Sequence, residues 1–177
     1  MSSTIFILPG LFNSGPDHWQ THWENKYGFI RIQQHDWETP VCEDWVSTID
    51  AAIAGKPLQE VVLIGHSLAC CTVIHWANKY NRKIKGALLV GPSDADAPSY
   101  PKGTTGFIPM PLNRLPFNSI VITSSNDEYV SLERAHYFAD SWGSKLVNAG
   151  ALGHINSSSN LGEWPEGYRI LQELINK

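Results

Sequence analysis

Val61-Val62-Leu63-Ile64-Gly65-His66-Ser67-Leu68-Ala69 is the stretch on which the reading of this 177-residue chain turns. Val61 to Ile64 are all β-branched or leucine, and such a continuous apolar run reads as a strand buried on both faces. Beyond Ser67, the residues Cys70, Val73, Ile74 and Ala77 form an apolar stripe at i, i+3, i+4 and i+7, the spacing of a helix face. Strand must therefore become helix around Ser67. A turn that tight lifts the serine above the sheet, and it needs small residues two positions either side. Gly65 supplies one and Ala69 the other, a G-x-S-x-A variant of the G-x-S-x-G pattern. The same turn sets a helix N-terminus beside the serine, where the Leu68 N–H can donate to a developing oxyanion.

Outward from this junction, short apolar runs alternate with amphipathic stretches, as in βαβ units around a parallel sheet. Thr4–Leu8 reads as a buried first strand that runs into Pro9-Gly10. Pro16 stands at a first helical position, with Gly28 as the stop of that helix near Tyr27. Phe29–Gln33 is a weaker strand. Cys42–Ala54 places Trp45, Ile49, Ala52 and Ile53 on one helical face. Ala87–Val90, Ser119–Thr123 and Lys145–Val147 read as further strands, Ser131–Asp140 as a helix, and Trp164-Pro165-Glu166 as the opening of the last one. Gly91 to Pro116 holds six of the eleven prolines. That composition cannot sustain long regular structure, and long loops in compact folds often border functional sites. The expectation is a single α/β domain over 1–177, with five or six parallel strands flanked by helices.

A serine hydroxyl is a weak nucleophile at neutral pH and requires a base, which an acid must orient. In the fold that carries this elbow, acid and histidine follow the serine in that order. Asp127, in the loop after Ser119–Thr123, stands where a strand-end carboxylate reaches an imidazole. Glu128 is the backup, and Asp94 and Asp96 are less favoured. Of the histidines beyond the elbow helix, His136 sits in an amphipathic helix and reads as a surface or packing residue. His154 lies in the loop Gly150-Ala151-Leu152-Gly153-His154 and is the choice for the base. A second oxyanion donor is expected from the loop after the first strand, where a glycine lets backbone come close. Leu11 N–H is the choice, with Phe12 second.

The segments Leu8-Pro9-Gly10, Gly65-His66-Ser67-Leu68, Ser124-x-Asn126-Asp127 and Gly153-His154-Ile155-Asn156, followed by Gly162-Glu163-Trp164-Pro165-Glu166-Gly167, span most of the chain in order. Together they resemble the small serine hydrolases grouped with retinoblastoma-binding protein nine and the bacterial YdeN proteins. The resemblance implies a compact α/β-hydrolase fold, mostly parallel sheet, with little or no cap domain. It implies a Ser-Asp-His triad at Ser67, Asp127 and His154, and esterase-like or aminopeptidase-like activity on small substrates. Ala69 departs from the glycine of many relatives and crowds the turn. The retinoblastoma-binding signature L-x-C-x-E is absent, because Leu68-Ala69-Cys70-Cys71-Thr72 lacks the glutamate, so that name carries no partner.

Other residues read more plainly. His18 and His22 have a spacing that can ligate zinc, but no third ligand accompanies them, and an exposed polar helix face is the expectation. Trp19 and Trp23 read as a packing stripe, although their helix begins beside the oxyanion loop. Seven tryptophans suggest that some line a pocket. His66 is expected to point away from it, and Trp164 either lines the acyl site or caps the last helix. Cys42, Cys70 and Cys71 form neither a disulfide framework nor a metal knuckle, so no metal is expected and a reducing cytoplasm is the simplest location. A formal net charge of −4, with a pI near 5.9, offers no basic face for nucleic acid or an anionic membrane. No apolar run approaches a membrane span, and the N-terminus lacks a basic n-region. The expected partner is a small acyl substrate, with no cofactor. Two readings follow: an acyl hydrolase, for esters or for small amides and peptides, and a binding module on a fold that has lost catalysis.

Overall fold

Along each central strand the side chains alternate between two apolar layers, which is why the strands read as unbroken hydrophobic runs. In the computed structural model, which describes residues 3–176, the strands are β1 (Thr4–Leu8), β2 (Ile30–Arg31), β3 (Val61–His66), β4 (Gly86–Val90), β5 (Asn118–Thr123) and β6 (Lys145–Asn148). Met1, Ser2 and Lys177, at the ends of the expected domain, lie outside the described residues. Phe6, Leu8, Leu63, Ala87, Leu89 and Val121 face one layer. Ile5, Ile7, Val62, Ile64, Leu88, Val90, Ile120 and Ile122 face the other. Helices α2 (Cys42–Ile53), α3 (Leu68–Tyr80) and α4 (Leu132–Trp142) cover the first face, and α1 (Trp19–Tyr27) and α5 (Pro165–Ile175) cover the second. This is the mostly parallel, helix-flanked α/β-hydrolase arrangement.

The six strands lie in the order β2-β1-β3-β4-β5-β6, every pair parallel. From β1 the chain steps outward to β2, then returns to the opposite side of β1 with β3 and continues to β6. The order reverses between β1 and β3, and in open α/β sheets ligands bind at such a switch point, beyond the carboxyl ends of the strands. The register puts Leu8 opposite Gly65, so the loop after β1 and the turn after β3 emerge side by side.

Several boundaries differ from the sequence reading. Helix α1 begins at Trp19, three residues beyond Pro16, because the His18 imidazole caps it, Nδ1 accepting the Gln20 N–H at 3.1 Å. The weak strand after Gly28 shrinks to Ile30–Arg31, an edge strand paired only with β1. The proline-rich stretch between β4 and β5 carries no helix or strand, so no cap layer stands over the sheet. Its one regular contact is an isolated bridge between Thr105 and Val41.

The glycine before Ser67 is dictated by α3. A Cβ on Gly65 would lie 3.1 Å from Cys70 N and 3.2 Å from the Ala69 carbonyl group, all backbone of the helix that starts behind the serine. Because helix backbone cannot give as a flexible side chain can, Gly65→Ala is expected to lower unfolding stability by about 1–3 kcal/mol. Urea denaturation checks this, and a variant as stable as the parent would mean the elbow tolerates a side chain at this position.

Candidate active site

Ser67 ends β3 and opens α3 with φ 57° and ψ −125°, a conformation that an L-residue enters at a cost on the order of 1–3 kcal/mol. The turn is closed by Ser67 N–H donating to Val90 O at 3.0 Å and by Cys70 N–H donating to Ser67 O at 3.0 Å. From the other side the backbone of the first loop presses in. A Cβ on Gly10 would sit 2.8 Å from Ser67 Cβ and 2.9 Å from His66 O, so only glycine lets the two loops meet this closely. Phe12 and Asn13 follow with φ 63° and 64°. Phe12, Asn13 and Ser67, three of the non-glycine residues with positive φ, thus line one pocket.

The structure brings Ser67, His154 and Asp127 together. Ser67 Oγ is 2.8 Å from His154 Nε2, and His154 Nδ1 is 2.9 Å from both Asp127 oxygens. Glu128 is exposed. Asp94 is taken up by Arg134 at 2.7 and 2.9 Å, and Asp96 lies 3.7 Å from the same guanidinium. His136 is exposed on α4. The Ser124-x-Asn126-Asp127 segment has a second task. Ser124 Oγ accepts the Leu152 N–H at 2.9 Å and Asn126 Oδ1 accepts the Gly153 N–H at 2.8 Å, which sets the loop that carries His154. Phe12 N–H is donated to Trp37 O at 2.9 Å; of the two amides considered in that loop, it is therefore the one already engaged. Leu11 lines the pocket, and Leu68 is the first residue of α3.

Two histidines are placed otherwise than expected. His66 does not point away. Its Nε2 donates to the His154 carbonyl at 3.0 Å, and its ring packs 4.7 Å from His18 and 5.0 Å from His154. His18 is buried rather than exposed, because capping α1 turns its ring inward beneath the pocket. Burial holds both imidazoles neutral: His18 is pushed down to about 3, and His66 well below the usual histidine value. With Nδ1 accepting, the His18 proton is on Nε2, which has no hydrogen-bond partner.

No tryptophan lines the pocket. Trp19, Trp23 and Trp164 instead pack as one cluster, with centroids 4.7 to 6.0 Å apart. Trp19 Nε1 donates to Ile155 O at 2.8 Å and Trp23 Nε1 to Glu163 O at 2.6 Å, so this cluster ties α1 to the His154 loop. Trp164 caps α5 with φ 43°, and its indole occupies the space that a Cβ on Gly167 would fill. That explains the Trp164-Pro165-Glu166-Gly167 segment.

Sequence reasoning passed over Gln20 and Arg31. The Gln20 amide, fully buried, donates to Leu8 O and Ile64 O at 3.2 Å, joining the ends of β1 and β3. Arg31 donates to Asn13 Oδ1 at 2.6 Å, Ser14 O at 3.0 Å and Thr21 Oγ1 at 2.7 Å, and pairs with Glu24. Its guanidinium thereby clamps the strained loop after β1. Neither residue belongs to a local pattern, since their partners lie across the fold.

All three cysteines are buried and unpaired. Burial pushes the Cys42 thiol up to about 12 and those of Cys70 and Cys71 far above the ordinary thiol range. Among the described residues no cluster of three or more His, Cys, Asp or Glu is placed to hold a metal ion, and no helix is long and apolar enough to cross a membrane. The pocket over Ser67 has a volume of about 240 Å³, and its lining includes Leu11, Phe12, Asn13, Tyr100, Pro101, Tyr129, Asn156, Ser157 and Ser158. A second pocket of about 280 Å³, between α3 and Pro111–Pro116, is lined by no serine, histidine or carboxylate.

Residues 5–173 match the serine hydrolase family model. No curated protein matches the chain in sequence. Among solved structures, a YdeN-like hydrolase from Pectobacterium atrosepticum is 31% identical with a TM-score of 0.87, covering 99% of this chain and 91% of that one. The ydeN gene product of Bacillus subtilis is 18% identical with a TM-score of 0.83, covering 99% and 100%. Est1E from Butyrivibrio proteoclasticus, in its structure with ferulic acid bound, is 14% identical with a TM-score of 0.70, covering 99% and 91%. These last two likenesses are of fold.

The buried neutral imidazoles make the protein acid-sensitive. In the unfolded chain they take up protons below about 6.5, whereas folded His18 does so only near 3, so stability falls as pH drops through that window. At pH 5 the loss from one such group is about 2 kcal/mol. Replacing His18 with Gln, whose carbonyl can still accept the Gln20 N–H, is expected to shrink the stability difference between pH 7 and pH 5 by about that amount. Urea midpoints at the two pH values measure it, and an unchanged difference would show that His18 titrates alike in both states.

Proposed function

The chain belongs to the serine hydrolase family, in its YdeN-like branch, and on that premise we propose that it hydrolyses small carboxylic esters through a Ser67-His154-Asp127 triad and an acyl-enzyme. One observation carries the reading: the unbroken hydrogen-bond line from Asp127 through His154 to an exposed-side serine held in a strained turn. In this reading Ser67 Oγ attacks the acyl carbon while its proton passes to His154 Nε2. The Leu11 and Leu68 N–H groups hold the oxyanion. His154 returns the proton to the leaving alcohol, and a water, deprotonated in its turn by His154, releases the carboxylic acid and restores the Ser67 hydroxyl. Asp127 keeps the imidazole proton on Nδ1 and stabilises the imidazolium without itself taking the proton.

A pocket of about 240 Å³ falls below the usual range for drug-sized ligands, roughly 300–1,000 Å³, which favours a short acyl group. An aminopeptidase would need a carboxylate for the substrate ammonium, and the pocket wall contains no Asp or Glu. The ester reading is therefore preferred to the peptide one. A binding module without catalysis would have no use for the 2.8 Å contact between Ser67 and His154.

Fluorophosphonate labelling tests the reading. The parent is expected to be labelled, Ser67→Ala not at all, and His154→Ala far more slowly. A folded parent that resists the probe would remove the catalytic reading, and labelled Ser67→Ala would mean another serine reacts. With p-nitrophenyl esters, kcat/KM is expected to fall as the acyl chain lengthens, and Asp127→Asn to lower kcat by about 10³–10⁴-fold.

A further inference from the structure

Ser67 Oγ has a third neighbour. Ser93, in the Gly91-Pro92-Ser93 turn after β4, is wholly buried and places its Oγ 2.9 Å from Ser67 Oγ. Proton counting gives this contact one direction. Both Asp127 oxygens accept from His154 Nδ1, so Nε2 is an acceptor and the single Ser67 proton points to it. Ser67 has no proton left for Ser93. The Ser93 O–H must donate, and Ser67 Oγ must accept.

The turn that holds Ser93 is set before any substrate arrives. Gly91 N–H donates to Ile122 O at 2.8 Å, Asp94 N–H to Tyr129 O at 2.9 Å, and Cys71 Sγ to Ser93 O at 3.3 Å. Ser93 therefore stands fixed beside Ser67 with its hydroxyl donating to the Ser67 oxygen.

We propose that Ser93 is a further catalytic residue of this site, its hydroxyl stabilising the negative charge on Ser67 Oγ as the bond to the acyl carbon forms and breaks. The inference rests on the reading of Ser67 as the nucleophile. During attack the Ser67 proton goes to His154 Nε2 and a Ser67 lone pair goes to carbon. The Ser93 proton stays on Ser93, and its bond becomes charge-assisted. Hydrogen bonds to ionised acceptors are about twice as strong as neutral ones, so the gain falls on the transition states rather than on the resting enzyme. The same donor eases departure of Ser67 when the acyl-enzyme is hydrolysed. The oxyanion amides act on the carbonyl oxygen; Ser93 acts on the nucleophile.

The test is the second-order rate of fluorophosphonate labelling, with kcat and KM for p-nitrophenyl acetate, in the parent, Ser67→Ala, Ser93→Ala, Ser93→Gly and Ser93→Thr. Ser93→Ala is expected to label about tenfold more slowly and to lose kcat with KM unchanged, at a melting temperature close to the parent's. Ser93→Thr, which keeps the hydroxyl, should recover most of the rate. A Ser93→Ala enzyme that labels within twofold of the parent overturns the proposal while Ser67 remains the nucleophile. If Ser93→Ala does not fold, Ser93→Gly decides, and a parental rate there overturns it too. A parent that is not labelled at Ser67 fails the triad reading first, and the two failures are thus distinct.

Discussion

The backbone at Ser67 turns from strand to helix with a positive φ, and the surrounding structure has to hold it there. Gly10 presses against the Ser67 Cβ from one side and Gly65 gives way to α3 from the other. A residue with φ 57° relaxes unless its neighbours over-determine it. Here they do, through the Val90 carbonyl, the first turn of α3, and a sheet whose strand order brings β1 and β3 together at their carboxyl ends. The exposed hydroxyl, the helix N-terminus and the nearby loop amides all follow from that one forced turn.

The same economy governs the loops around it. Phe12, Asn13 and Ile155 also have positive φ, and Ile155 is a β-branched residue for which that conformation is a true outlier. Asn13 and Ile155 are fastened by buried donors from elsewhere, Arg31 on Asn13 and Ser14 and Trp19 on Ile155, while His66 holds the neighbouring His154 carbonyl and Phe12 is held by its own N–H to Trp37 O. Buried donors demand acceptors, and in this fold the acceptors are the backbone of the strained loops. Packing and positioning are thereby the same set of contacts, and the tryptophans serve the site without touching the pocket.

His66 packs between two other imidazoles, 4.7 Å from His18 and 5.0 Å from His154, yet their surroundings separate the three. His18 and His66 are buried without a carboxylate and are held neutral. His154 has Asp127 on one nitrogen and the Ser67 hydroxyl on the other. A second charge close by would disfavour an imidazolium at His154, and the neutrality of its two neighbours avoids that repulsion. A histidine-rich site can then hold a single proton acceptor for Ser67.

Much was legible from the chain alone. The period of the apolar residues gave the alternation of strands and helices, because burial on both sheet faces leaves unbroken runs and burial of one helix face leaves stripes. Gly65, Ser67 and Ala69 marked the elbow, since a tight turn restricts size locally. Asp127 and His154 were singled out by their order and loop positions, and the structure places them in a hydrogen-bonded line with Ser67. The rest was decided only in three dimensions. The adjacency of β1 and β3, the inward turn of His18 and His66, the clamps of Gln20 and Arg31, and the pairing of Ser93 with Ser67 all join residues far apart in the chain. Local periodicity reports which side of an element is buried. It does not report which donor meets which acceptor, because that depends on where the elements finally pack.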